Sequence, residues 1–553
     1  MRLKLQFASL ITLGILVGFV FTILFTLSYL FLGLPWQFLI GLTIFINFIM
    51  WLVSPYISDL IYKWFYKINF YEPEKLMDYP YMKFIKKVCD EHKIKVPKIG
   101  IIDDDNPTAF TYGSAAFNAR VVLTKGLFKF LNEDELEAVI AHELGHIINN
   151  DFIIMTIATT LLEVLYEIYV ICTRTRSQGA AFNKRGEKKG NGAALLFLIG
   201  IVSYFFYWIG TYLVLFLSRI REYYADEFSA KKTSPDFLSS ALIKIAYGIA
   251  SVPDTQKTAH LLNNTRAQGI FDFKVANEIG LVYVNSKNNK GLIEKALLFD
   301  LVNPWAWFFE LKSTHPLIGK RVKRLSSMSS NPPFDFNSIN KNVDKGKLWG
   351  NFFKDFFVQS STTFLILAFI AGLIFQISMK INNFMPMIIG FIVLLLVFNF
   401  LKVLYRFPGS TFKETSVIEC MSDLYASPFR GKPVKLEGQA IGRGQAGYIF
   451  GEDMIFQDKS GIIYLNYESG IPILGNFFFA WKKLEKLLNK PAIASGWFFR
   501  GATHHVELKL FESGNEKIKS YAKFWMMFGM IFMFLLIGLF LLLLRLDYVL
   551  RFR

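Results

Sequence analysis

The sequence predicts a multi-pass α-helical membrane protein with a mainly helical metal-site domain and a small β-rich C-terminal domain. Three observations predict it. Of 553 residues, 53% are hydrophobic and 58 are Phe, and these come in long runs where a soluble domain would alternate them with polar residues. One short segment, His142-Glu143-Leu144-Gly145-His146, matches H-E-x-x-H. Beyond Tyr405 the pattern changes to short apolar stretches among Gly-rich turns.

The membrane elements come first. Phe7–Leu32 and Phe38–Val53 are uncharged runs separated by Gly33-Leu34-Pro35-Trp36-Gln37, which reads as a helical hairpin through the bilayer. The first run is too long for a signal-peptide core and lacks a convincing small-residue cleavage site, so it is expected to remain as an anchor. Ala193–Leu217 is long enough to span, Phe364–Met379 and Phe384–Leu401 form a pair around Lys380-Ile381-Asn382-Asn383, and Phe524–Leu544 closes the series. Phe152–Cys172 carries Glu163 and Glu167. Carboxylates facing lipid cost about 2.5–3.5 kcal/mol each on insertion scales, so both are expected to face a protein interior or a wet cavity.

Net charge is +17. The basic residues cluster beside apolar spans, so attraction to anionic headgroups and the positive-inside bias account for them, and no nucleic-acid partner is expected. Cys89, Cys172 and Cys420 are far apart and form no metal or redox motif, which fits a reducing compartment. Arg2 and Lys4 precede the first hairpin and Lys63, Lys67 and Lys75 follow it. Both ends, and the segment carrying His142, are therefore expected on the cytoplasmic side of the cell membrane. The loop after Phe152–Cys172 holds Arg174, Arg176, Lys184, Arg185, Lys188 and Lys189. Either this loop violates the bias or its flanking pair does not fully cross, and both readings stay open.

Between the hairpin and the motif, Tyr81–His92 reads as a helix, and Lys98–Ile102, Ala109–Tyr112 and Arg120–Thr124 read as short strands. The motif helix is expected to begin at Asn132, an N-cap, with Glu135 completing a capping box. His142 and His146 lie four apart and share a helix face, so they can grip one metal ion from one side. Glu222 supplies a third ligand, and Asp226, one turn on, either accepts a hydrogen bond from a ligand imidazole or pairs with an Arg. Three protein ligands of this kind fit zinc with one position open to water, and Glu143 is then free to act as general base. Both ligand helices read as continuous with the apolar segments that follow or precede them, which places the site at the membrane face.

The remaining histidines are weaker. His92 and His260 read as solvated, and His504-His505, adjacent in a strand, point to opposite faces and are poorly placed to share a metal.

His142, Glu143 and His146, followed by Arg221-Glu222-Tyr223-Tyr224-Ala225-Asp226, resemble in order and separation the HtpX-like membrane metallopeptidases, relatives of the CAAX prenyl proteases within the glutamate-zincins. Asn106-Pro107-Thr108-Ala109-Phe110-Thr111-Tyr112-Gly113 before the helix, and Thr314-His315-Pro316 with Arg321 after it, are further matches. The resemblance spans Met1 to Ser326. It implies a zincin-like fold and a zinc endopeptidase acting on membrane or membrane-associated proteins in quality control. It also implies an edge strand, Ala109, Phe110, Thr111 and Tyr112, onto which an extended substrate peptide adds, although a strand serving only the fold stays open. His315 either donates to the oxyanion or is a structural loop histidine. A CAAX-type prenyl-protein protease and a non-enzymatic membrane scaffold with a structural metal site are the alternatives.

The expected organisation is a hairpin over 1–62 and a metalloprotease domain over 63–330 that includes membrane helices about 152–172 and 193–217. A linker and transmembrane pair follow over 331–404, then a β-rich domain over 405–521 and an anchor over 522–553. Pro433–Ile441, Met454–Gln457, Gly461–Tyr467 and His505–Phe511 read as strands and Phe479–Leu488 as a helix, together a small β-barrel of the OB kind with an unknown partner. Gly442-Arg443-Gly444-Gln445-Ala446-Gly447 matches G-x-G-x-x-G, but no helix follows, so it reads as a turn.

Overall fold

Each long apolar run folds as a helix, because only a helix satisfies every backbone N–H and C=O internally where no water is available. The structure is a computed structural model describing residues 2–30, 36–76, 79–181, 192–251, 290–332, 334–336, 343–381, 383–444, 451–501 and 504–551. Among the described residues five helices have the length and apolarity to cross a membrane, over Ile44–Trp64, Asp151–Thr173, Ala194–Lys232, Lys345–Ser378 and Met385–Arg406. The described residues form two compact units. One holds the residues up to Ile249 together with Phe308–Pro333; the other holds those ending at Trp307 and everything from Phe334 onward.

In the first unit α1 (Arg2–Leu30), α2 (Trp36–Tyr66), β1 (Asn69–Tyr71), α3 (Pro80–His92), β2 (Lys98–Ile102), β3 (Ala109–Tyr112), β4 (Arg120–Thr124) and α4 (Lys125–Phe130) lead to the motif helix, α5 (Glu133–Ile148). Then come α6 (Asp151–Ala181), α7 (Gly192–Lys232) and α8 (Pro235–Ser251). The four strands pair in the order β1-β2-β4-β3, with β2 parallel to β4 and the other pairs antiparallel, so β3 is an edge. Ile68, Ile102, Phe110 and Val122 of the sheet region pack with Tyr62 of α2. Asp59 of α2 ties the sheet further, accepting from the Tyr112 hydroxyl at 2.6 Å and from Arg120 at 2.8 Å. Leu16 of α1, Ala158 and Leu162 of α6, and Val214 and Leu217 of α7 form one apolar cluster, so these three helices make a bundle.

Glu163 and Glu167 do not face the interior of the helix bundle: both are exposed on α6. Leu162, Leu165 and Ile168 take the packed face against α1 and α7, and helical periodicity then leaves 163 and 167 on the opposite side. The basic residues at 184, 185, 188 and 189 lie outside the described residues, as does His260. His92 is half-buried with its ring edge-on to Phe228 at 5.3 Å, so it is not simply solvated.

The stretch from Lys290 to Trp307 begins the second unit with α9 (Lys290–Val302) and most of α10 (Pro304–Glu310); α11 (Ile318–Ser326) belongs to the first. The second unit continues with α12 (Lys345–Ser378), α13 (Met385–Arg406), β5 (Lys413–Glu414), α14 (Val417–Met421), β6 (Lys432–Arg443), β7 (Met454–Gln457) and β8 (Ile462–Asn466). α15 (Leu474–Phe478), a π-helical turn over Phe479–Lys483 and α16 (Leu484–Leu487) precede β9 (Pro491–Arg500), β10 (His504–Ser513), β11 (Glu516–Lys519) and α17 (Ala522–Arg551). β6 pairs with β7, β7 with β8, β8 with β10, β10 with β9, and β9 with β6, which closes a barrel of five strands. β9 is not legible as a strand in the sequence. Its Pro491 opens the strand and its Gly496 packs against Glu507, both compatible with a strand only because it is paired on two sides. His504 and His505 lie against Phe498 and Phe499 of β9 respectively, apart from each other's face as expected. Part of the G-x-G-x-x-G segment, 445–447, lies outside the described residues; Gly442 and Arg443 end β6.

Candidate metal centre

Local chemistry places the motif helix. Asn132 caps α5 by accepting from the Glu135 amide at 2.9 Å, and the Glu135 carboxylate accepts from the Asn132 amide at 3.0 Å, the reciprocal pair of a capping box. Glu135 also accepts from Ser240 at 2.6 Å and Lys244 at 2.7 Å, fixing α5 against α8. α5 meets α7 where Gly145 sits: a Cβ there would lie 3.2 Å from the Ala225 Cα. The Gly within the motif is therefore a close-approach residue that lets the two ligand-bearing helices touch. Ser229 of α7 donates to the Ala138 carbonyl at 2.6 Å across the same seam.

That contact brings the predicted ligands together. The Nε2 atoms of His142 and His146 are 3.2 Å apart. Glu222 Oε2 lies 3.5 Å from His142 Nε2, and Glu222 Oε1 lies 3.4 Å from His146 Nε2. One donor atom from each residue falls within 4.8 Å of the other two, the arrangement of a site that can hold a cation. Two carboxylate oxygens, Oε2 of Glu222 in this group and Oε1 of Glu143 next to His142 in the helix, are buried with no hydrogen-bond partner among the described residues. Buried polar atoms left unmatched in this way fit a centre completed by a metal ion.

The surrounding charges hold the ligands. Asp226 Oδ1 lies 3.0 Å from His142 Nδ1, and the carboxylate accepts from Arg321 Nη2 at 2.6 Å and Nε at 2.9 Å. It therefore pairs with an Arg and also lies beside a motif histidine, and Arg321 and Asp226 are only 0% and 1% exposed. Asp151, not anticipated from sequence, accepts from His146 Nδ1 at 2.6 Å and pairs with Arg221. Its position was hidden because α5 and α6 are not one helix as expected: Asn150 adopts φ 56°, and the chain turns so that the first residue of α6 faces back to His146. α7 is continuous through Glu222, as expected.

Protonation follows from these partners. Burial works to lower the His142 imidazole, but the Asp226 and Glu222 carboxylates outweigh it and raise it to about 9, so an ion held by His142 would have to displace that proton. Burial lowers His146 to about 4, so at neutral pH its ring is uncharged and fit to ligate. Burial raises the Glu143 carboxyl above its ordinary value, against the pull of His142, His146 and a hydrogen bond from Thr111. A carboxyl raised toward neutrality is suited to taking a proton and giving it up again.

His315 reaches the site on a loop pinned to α7. Arg219 donates to the carbonyls of Glu310 and Ser313, each at 2.8 Å, and Ser218 donates to that of Thr314 at 2.9 Å. His315 Nε2 then lies 3.4 Å from Glu222 Oε1. Of the edge strand, Thr111 hydrogen-bonds Glu143, and Thr111 and Tyr112 line a cavity of about 290 Å³ together with His146, Glu222 and Ser54 of α2. Ala109 and Phe110 are fully buried in the sheet.

A pair of helix-borne histidines, one buried and one half-buried, and a glutamate from a second helix, with an adjacent buried glutamate, define a metallopeptidase-like centre on a membrane helix. Residues 82–329 match Peptidase family M48. The Protease HtpX homolog of Picrophilus torridus is 30% identical over 332 residues, 58% of this chain and 96% of that protein. That of Pyrococcus abyssi is 30% identical over 322 residues, 57% and 94% of the two chains. The crystal structure of S. mikatae Ste24p aligns with a TM-score of 0.31 and 23% identity over 44% of this chain and 59% of that one. The chain belongs to peptidase family M48 and is a multi-pass membrane metallopeptidase.

Proposed function

We propose that the protein is a zinc-dependent endopeptidase that cuts membrane or membrane-associated proteins in quality control, with its site facing the cytoplasm. The observation that carries this reading is the convergence of His142, His146 and Glu222 beside the unmatched Glu143 Oε1. His142, His146 and Glu222 would hold the ion. Zinc, when bound, would supply Lewis acidity and lower the pKa of water to about 7. Glu143 takes a proton from the attacking water and passes it to the leaving amine. His315 donates to the carbonyl oxygen as negative charge develops, and Asp226 and Asp151 hold the ligand imidazoles in orientation. A substrate in extended form adds to the β3 edge at Ala109 to Tyr112, a reading supported by the order of the sheet and by Thr111 and Tyr112 at the cavity. We assign the metal-site part of the first unit a zincin-like fold, and the barrel an OB-like fold on its five closed strands and the helical insertion between β8 and β9.

Metal analysis of the purified protein is expected to find one zinc per chain, lost on His142→Ala or His146→Ala. Full zinc retention by both variants would refute the ligand assignment.

Membrane placement has its own test. Glu222 follows Leu217 by five residues on a continuous helix, about 7.5 Å of rise, so the site lies close to the headgroups. In liposomes a membrane-anchored reporter peptide is expected to be cut faster than the same peptide free at matched bulk concentration, with Glu143→Gln as control for contaminating proteases. Equal rates would argue for soluble peptides as substrates.

A further inference from the structure

The segment between β8 and β9 carries an apolar surface that neither the barrel core nor the metal centre uses. Ile471, Ile473, Leu474, Phe478 and Trp481 are 64%, 81%, 64%, 50% and 54% exposed. Ile473 is held at φ 65°, a costly conformation for a β-branched residue, and the side chain so presented is the most exposed of the five. Large exposed apolar patches mark interaction sites.

The height of this segment is fixed by hydrogen bonds within the second unit. α13, one of the helices able to cross a membrane, ends at Arg406, and Lys523 at the start of α17 donates to the next carbonyl, that of Phe407, at 3.2 Å. The end of α13 and the start of α17 therefore lie at one level. One turn into α17, Trp525 Nε1 donates to the Ser469 carbonyl at 3.0 Å, and the Tyr521 amide donates to that of Glu468 at 2.8 Å. Ser469 is thus within about one helical turn, some 5 Å, of that level, and the exposed apolar residues follow it directly.

Charge supplies the second observation. Beside the segment is a pocket of about 450 Å³ whose lining includes Lys482, Lys483, Lys517 and Lys519, with Tyr467 and Tyr521, and no carboxylate among the described residues. Of these lysines, Lys517 pairs with Glu512, at 2.7 Å. Lysines flanking aromatic and aliphatic side chains at the end of a membrane helix suit the anionic, half-apolar headgroup layer.

We propose that the segment from Ile471 to Lys483 lies in the headgroup layer of the bilayer crossed by α13, and that the lysine pocket beside it binds anionic phospholipid headgroups. The barrel would then be held flat against the membrane rather than projecting from it. The occupant is the lipid surface because the apolar residues and the lysines meet it together, at the level where α13 ends and α17 begins.

The test uses the full chain reconstituted in vesicles, with an environment-sensitive fluorophore on Leu474→Cys; the native Cys89, Cys172 and Cys420 are buried. A label on Phe528→Cys, on α17, gives the lipid reference. Brominated phosphatidylcholine is expected to quench both labels, and aqueous iodide to quench neither efficiently. Brominated phosphatidylglycerol is expected to quench the 474 label several-fold more than brominated phosphatidylcholine, and the triple change Lys482→Gln, Lys483→Gln and Lys519→Gln is expected to bring that ratio to one. Iodide quenching at 474 with bromolipid quenching only at 528 would overturn the proposal. Shielding of 474 from both quenchers would also overturn it, showing protein in place of lipid. An unchanged ratio in the triple variant would overturn the headgroup pocket, and failure of bromolipid to reach 528 would remove α17 from the bilayer and the proposal with it.

Discussion

Replacing Glu143 by Gln is expected to lower peptide cleavage by about 10²–10⁴-fold while leaving metal content at the parent level. The side chain is 0% exposed, so an isosteric amide fills the same space without a cavity. Glu143 is also not one of the three converging donors, which come from His142, His146 and Glu222. What the change removes is basicity: the Glu143 carboxylate accepts from Thr111 through one oxygen and has its other oxygen, Oε1, unmatched in the site. The amide can still accept from Thr111, but it cannot take a proton from water. Peptidase assays on a fluorogenic substrate, paired with metal analysis of the same preparation, separate loss of chemistry from loss of the ion. Near-parent activity with metal retained would mean that another group is the base, and loss of metal would place Glu143 among the ligands.

Much of this centre was legible in the sequence because its determinants are local. The capping box at Asn132 and Glu135, the four-residue spacing of His142 and His146, and the one-turn spacing of Glu222 and Asp226 are all properties of a regular helix. The strands Lys98–Ile102, Ala109–Tyr112 and Arg120–Thr124 also read correctly, since each is a short apolar stretch bounded by turn residues. What stayed hidden depends on chain reversal or on pairing. Asp151 reaches His146 only because Asn150 takes a left-handed conformation, and nothing in a helical periodicity signals that turn. β9 is a strand because β6 and β10 pair with it from both sides, which offsets the weak propensity of its Pro, Gly and Ala residues. Glu163 and Glu167 are not turned into the bundle, because the neighbouring Leu and Ile residues occupy the packed side of α6.

The second large effect is expected from Arg321→Ala, which should destabilise the protein by about 3–5 kcal/mol and weaken metal affinity by about 10–100-fold. Arg321 donates two hydrogen bonds to Asp226, at 2.9 and 2.6 Å, and its Nη1 lies 3.7 Å from Glu222 Oε2. Removing it leaves a buried Asp226 whose remaining partner is the His142 imidazole at 3.0 Å, and an acidic pair with less compensating charge. The stability loss comes from that uncompensated carboxylate, while the affinity loss comes from freedom gained by the His142 ring. Arg321→Lys discriminates these terms: it keeps a positive charge but lacks the planar fork, so it should recover part of the stability and little of the orientation. Thermal unfolding of detergent-solubilised protein with and without metal, together with competitive metal titration, reads both. Parent-like unfolding and affinity in Arg321→Ala would show that Asp226 holds His142 without its second partner, and that the buried pair is incidental to the centre.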